Sequence, residues 1–179
     1  MFLIALLVAA AAAPGTWSVD PAASSLRYVV VHKLHKVDAT SKEVEGKALV
    51  KPDGTVLTEV RATVASFKSG DGNRDEHMLE VMNTGTFPMV IFKGKAQVGA
   101  DGALPDGPLT MQGQVELHGV KKPYSVPLTV AAQPDGSIHI TGAFDVSLDG
   151  HGIERPSLLF VKVDDACHID VDLVLRGAR

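Results

Sequence analysis

From Thr16 to Arg176 apolar and polar residues alternate with a period of two, the pattern of strands whose faces meet different surroundings. The clearest run sets Leu109, Met111, Gly113, Val115 and Leu117 against Thr110, Gln112, Gln114, Glu116 and His118. Leu26, Tyr28, Val30 and His32 form an early strand behind Trp17 and Val19. Further runs begin at Val60, Phe92, Tyr124, Ile138 and Cys167. Turn signals at Pro52-Asp53-Gly54, Ala100-Asp101-Gly102, Pro134-Asp135-Gly136 and Asp149-Gly150 separate them.

One segment departs from this period. Asn73-Arg74-Asp75-Glu76 reads as an N-cap with a capping-box glutamate, and Met78, Leu79 and Met82 fall on one helical face. Gly85 and Pro88 end the run, which predicts a single short helix between two strands. One short helix cannot cover the apolar faces of about eight strands, so those faces must meet each other. Hairpin spacing favours up-and-down connections, and closure removes exposed edges. The expected fold is all-β: an antiparallel eight-stranded barrel with one short helix near the barrel end.

The inward positions of this barrel are almost wholly apolar: Tyr28, Val30, Phe92, Met111 and Val115, with Phe144, Val146, Ile169 and Leu173. Gly94, Ala96, Gly113 and Gly142 fall in the same phase. Two readings follow. Small residues leave room for a long thin apolar ligand, or they mark strand coiling and close backbone contact in a solid core. Periodicity alone does not choose between them.

At 179 residues the chain has the length of one domain, and its net charge of −4 gives no basic footprint for nucleic acid. The single cysteine forms no internal disulfide, and Cys167 shares the phase of Ile169 and Val171, as a small buried hydrophobe would. Residues 1–13 contain the uncharged apolar stretch Phe2 to Ala13, too short for a spanning helix of about 20 residues. With A-x-A cleavage choices at its end it reads as a secretory signal peptide, so residues 14–179 form the mature domain, periplasmic or secreted. The alternative is a buried N-terminal element.

Arg74, Asp75 and His77 form the densest polar cluster. Arg74 is suited to a phosphate or another polar lipid head, assisted by free N–H groups of the first helical turn. The structural alternative pairs Arg74 with Asp75 or a rim strand. His32 and His35, three apart in a strand-to-loop context, are not expected on one face, and no metal site is expected. Gly-x-Ser-x-Gly, Ser-x-x-Lys and His-Glu-x-x-His are all absent, so no catalytic residues are assigned and the chain is not read as an enzyme.

Three blocks carry a family resemblance. Trp17-Ser18-Val19-Asp20, with Ser25 and the strand ending at His32, resembles the start of the YceI-like family. Ser66-Phe67-Lys68-Ser69-Gly70, then Asn73 to Leu79 and Phe87 to Phe92, is similar to its second block. Leu109 to Gly113, followed by Leu117-His118-Gly119-Val120-Lys121-Lys122-Pro123, resembles its third. Two features depart: one aromatic instead of two before the Phe-Pro block, and a long charged segment from Lys33 to Lys47. The resemblance implies a periplasmic, lipocalin-like barrel whose tunnel binds a polyisoprenoid, an isoprenoid quinone or another long-chain amphiphile, with no cofactor beyond that lipid. Phe67 and Phe87 of the second block join the expected tunnel lining, and with the short helix at the barrel end the polar cluster of Arg74, Asp75 and His77 is expected at the head-group rim. A homodimer through an outer face is one arrangement the sequence allows.

Overall fold

The computed structural model describes residues 14–33, 35–99, 104–158 and 161–178. The expected signal peptide and the Ala100-Asp101-Gly102 turn signal lie outside the described residues.

Strands β1 (Gly15–Val19) and β2 (Ser25–His32) lie end to end along one edge of β12 (Ala166–Gly177). Val19 pairs with Leu175, and Ser25 with Asp172. A 3-10 turn over Pro21–Ala23 interrupts them, capped by the Asp20 carboxylate, which accepts from Ala22 N–H. β3 (His35–Ser41) and β4 (Val44–Val50) divide the next place in the same way, β3 pairing with β2 and β4 with β1. Strands β5 (Thr55–Thr63), β6 (Met89–Gln97), β7 (Gly107–Leu117), β8 (Val120–Ala132) and β9 (Ile138–Ser147) continue the meander, and β9 returns to β12. Ten segments thus fill eight places around one closed antiparallel barrel, the architecture expected from the alternation. A small hairpin of β10 (Ser157–Leu158) and β11 (Val161–Lys162) stands apart.

The segment from Lys33 to Lys47 carried no strand expectation, yet it supplies β3 and most of β4. Its outward positions are charged, and its buried ones include the small residues Ala39 and Ser41, so the apolar signal is weak. The short helix is present as α1 (Gly72–Val81). Its N-cap is Asp71 rather than Asn73: the Asp71 carboxylate accepts from the N–H groups of Asn73 and Arg74. Gly70, at φ 83°, turns the chain so that this short side chain reaches the helix end. Among the described residues no helix is long and apolar enough to cross a membrane.

The two barrel ends differ. Trp17, Val50, Val56, Val130, Ile138 and Leu175 are buried together and close one end as a floor. The other end carries α1, the β7–β8 turn and the segment after Leu148. That β7–β8 turn has two residues, His118 (φ 52°) and Gly119 (φ 74°), between the paired Leu117 and Val120. Two left-handed residues match the natural twist of a hairpin.

Candidate functional site: an apolar cavity in the barrel

A cavity of about 350 Å³ occupies the barrel axis, within the size range of small-molecule sites. At the closed end it is lined by Leu104 and by the floor residues Val56, Val130 and Leu175. Its upper wall is built from Tyr28, Val30, Val90, Phe144 and Ile169, which point inward yet are only half-buried because they face this space. Met78, Val81 and Met82 project from α1 over the open end. Tyr28, Thr58, Arg61, Arg74 and His77 are the polar residues at the lining; among the described residues no acidic side chain lines the cavity itself, although Arg61 is held outward by Glu45 at 2.8 Å and Arg74 lies 3.5 Å from Asp71.

The opening is set by a break in strand pairing. Beyond β2, β3 is tied by one bridge, Thr40 to Lys68, with N–H···O distances of 3.1 and 3.0 Å. There Met78 of α1 packs against the cluster of Ala39, Ala62 and Phe67. Asp75 fixes the helix start by accepting from the Ser69 N–H at 2.9 Å and the Ser69 hydroxyl at 2.7 Å. Those hydrogen bonds hold its carboxyl below the ordinary aspartate value.

Tyr28, Val30, Phe67, Phe92, Met111, Val115, Phe144, Val146, Ile169 and Leu173 all line the cavity. Phe87 does not: its ring packs edge-on to His118, with ring centroids 4.9 Å apart, and covers Gly119. Pro88 directs the chain into β6 just after it, so Phe87 stays outside the wall. Arg74 and His77 border the cavity, whereas Asp75 turns away to Ser69. Arg74 lies 3.5 Å from Asp71 instead of pairing with Asp75. Because Asp71 already occupies the first-turn N–H groups, the helix end offers an anion less than the sequence suggested.

The inward glycines do not act as empty space. Gly94 and Gly113 pair across β6 and β7, and the Phe92 ring lies over both. A Cβ at Gly94 would meet that ring at 2.6 Å and Met111 Cγ at 2.7 Å. A Cβ at Gly113 would strike the Lys93 carbonyl and the same ring. The glycines therefore let Phe92 lie against the wall, which keeps its bulk out of the lumen.

Two buried groups have shifted acidity. Burial pushes the Tyr28 phenol up to about 12, beside Phe67 at 5.6 Å between ring centroids. Burial also pushes the Cys167 thiol up to about 12, as fits a small hydrophobe in the cavity wall. His32 and His35 do meet, as a cross-strand pair with ring centroids 6.3 Å apart. The chain reverses between them, which brings both rings to one side. Among the described residues no cluster of three or more His, Cys, Asp or Glu is placed to hold a metal.

The alternation that begins at Ile138 runs on to Leu148, which lines the wall near the opening, but it did not single out Ile153 and Val163, which complete that wall. Ile153 follows the turn at Asp149-Gly150-His151 and Val163 follows β11, where no long strand period operates. His151 was missed as well. It is 0% exposed, and its Nε2 accepts from the Tyr124 hydroxyl at 3.1 Å.

Solved structures with this architecture include Burkholderia cenocepacia BcnA, at 19% identity and TM-score 0.74, covering 87% of this chain and 98% of that one. A polyisoprenoid binding domain from Saccharophagus degradans, implicated in plant cell wall breakdown, is 16% identical with TM-score 0.73. That alignment covers 94% of this chain and all of the other. A Campylobacter jejuni YCEI protein matches at 16% identity and TM-score 0.64, over 83% of this chain and 89% of that one. At such identities the likeness shows the shared fold. No curated protein matches the sequence. The family model for the YceI-like domain matches residues 17–175, nearly the whole barrel, and the chain belongs to that family.

Proposed function

We propose that this protein holds one long-chain amphiphile, a polyisoprenoid, isoprenoid quinone or similar lipid, with its tail along the barrel axis. The observation that carries the reading is an apolar cavity closed by a floor at one end, with basic residues and no acid among the described lining at the other. A tail leaving water gains about 0.8 kcal/mol per buried methylene. Arg74 and His77 would meet a polar or acidic head at the rim. The Saccharophagus degradans domain, described as polyisoprenoid binding, supports this ligand class. With an exported chain, the role is that of a carrier, store or sequestering protein outside the cytoplasm, without catalysis.

Thermal unfolding in the presence of polyprenols, isoprenoid quinones and fatty acids tests the proposal. A ligand at about 100 times its Kd stabilises by about 2.7 kcal/mol. For a domain of this size that raises the Tm by about 5–10 °C. No shift with any of the three classes would move the reading to a barrel that serves protein interactions.

A further inference from the structure

The fully buried His151 joins the irregular segment after β9 to the β7–β8 hairpin. Its Nδ1 lies 3.0 Å from the Val120 carbonyl and 3.3 Å from the Leu117 carbonyl. Carbonyls only accept, so Nδ1 carries a proton and donates. Nε2 is then free to accept from the Tyr124 hydroxyl, whose oxygen accepts the Ser147 N–H at 3.3 Å. This is a complete hydrogen-bond set for the neutral ring. In the protonated ring Nε2 also donates, and the Tyr124 hydroxyl proton loses its acceptor.

The only compensation the site offers a charged ring is the pair of carbonyls that already hold Nδ1, and burial outweighs them. On the β7–β8 hairpin the facing charged or titratable groups are His118 and Lys122, which repel it. On the segment after β9, Asp149 pairs with Arg155 at 2.8 Å. Asp165 accepts from the Ser147 hydroxyl and the Asp149 N–H. Neither carboxylate is directed at the imidazole by a hydrogen bond. The residues flanking His151, Leu148 and Ile153, line the cavity, and the Tyr124 ring packs 5.9 Å from that of Phe144, another lining residue.

We infer that His151 and Tyr124 form an acid-sensitive latch that holds the Leu148–Ile153 wall of the cavity shut while His151 is neutral and releases it on protonation. Burial holds the His151 imidazole below the ordinary histidine value. Its contribution to stability is therefore complete above the unfolded value of about 6.5 and is lost as pH falls below it. Opening is a property of the empty protein. Release of an amphiphile in acid follows only if the proposed lipid binding holds, so the two can fail separately.

Cys167 packs beside Leu148 and Ile153, and its reaction with a neutral disulfide reagent reports this wall. The rate in the wild type divided by that in His151→Gln cancels the thiol's own titration. From about pH 7.5 to about pH 5, on either side of the ordinary histidine value of about 6.5, this ratio should rise severalfold. A flat ratio overturns the latch. If His151→Gln does not fold, imidazole NMR of the wild type decides. Titration of His151 below the ordinary value, with the Phe144 ring signals moving in step, supports the latch; Phe144 signals that ignore it overturn it.

Discussion

Replacing Gly94 by Leu tests whether a lipid tail lies along the barrel axis. A Cβ there would meet the Phe92 ring at 2.6 Å and Met111 Cγ at 2.7 Å, both side-chain rather than backbone atoms, on residues that line the lumen. Gly113 is a poorer choice, because its Cβ strikes the Lys93 carbonyl and would confound plugging with backbone strain. The cost of overpacking at Gly94 is about 1–3 kcal/mol, which a stable barrel survives. Below this level the cavity continues down β7 to Leu109, four residues beyond Gly113, the partner of Gly94. On tilted strands that is about 10 Å of axis. An extended chain advances about 1.2 Å per bond, so about eight methylenes would be shut out. Their gross transfer free energy is about 6 kcal/mol. Ordering of the tail offsets part of this, so the affinity for a long-chain lipid should fall at least about a hundredfold. The assay is equilibrium lipid binding alongside circular dichroism and thermal unfolding, with the outward Lys95→Leu as a control that should bind normally. A folded Gly94→Leu barrel that keeps wild-type affinity would refute the axial tail.

Arg74→Ala should weaken acidic-headed lipids about tenfold and leave neutral alcohols of the same tail within about twofold, since a charge-assisted contact contributes about 1.5–3 kcal/mol. Equal losses for both in a titration series would remove the proposed role of Arg74. Cys167, with its thiol pushed up to about 12 and buried in the cavity wall, should resist thiol reagents at pH 8 in the folded protein and react at once in denaturant. Rapid labelling of the native protein would contradict that placement. In Ser69→Ala the Asp75 carboxyl should titrate closer to its ordinary value, because one of its two Ser69 hydrogen bonds is lost. Wild-type Asp75 thus favours the fold at pH values above about 3.9, a contribution lost as pH falls through its lowered native value. Carboxyl NMR of both proteins measures this, and an unchanged titration would show that Ser69 is not the cause.

The barrel was legible because runs such as Leu109 to Leu117 alternate large apolar with polar residues, and each phase maps onto one face of the wall. Most of the cavity lining followed from the same phase. The glycines in phase with it were ambiguous, because only three dimensions reveal that the Phe92 ring covers Gly94 and Gly113. β3 and β4 escaped notice because charged outward residues flank small inward ones such as Ala39 and Ser41. The helix was expected, but its cap fell to Asp71, since the turn at Gly70 decides which side chain reaches the first N–H groups. His151 had no local signature at all: its partners, Leu117, Val120 and Tyr124, come from the hairpin about thirty residues earlier in the chain.

The outward surface differs in kind from the lumen. Arg27 bridges Asp38 and Asp170 at 3.0 Å each, and His168 lies 2.7 Å from Asp145, so charges run across β3, β2, β12 and β9. Exposed pairs of this kind add little to stability. They keep that face in water while the apolar residues turn inward, and a ligand tail has to look for its burial inside the barrel.

Native mass spectrometry of the protein purified gently from a membrane-bearing host, followed by extraction of any bound lipid, tests the central claim most directly. The account expects a stoichiometric adduct with the mass of one long-chain amphiphile, lost in Gly94→Leu. A bare mass that stays unchanged after incubation with polyprenols and isoprenoid quinones would contradict it.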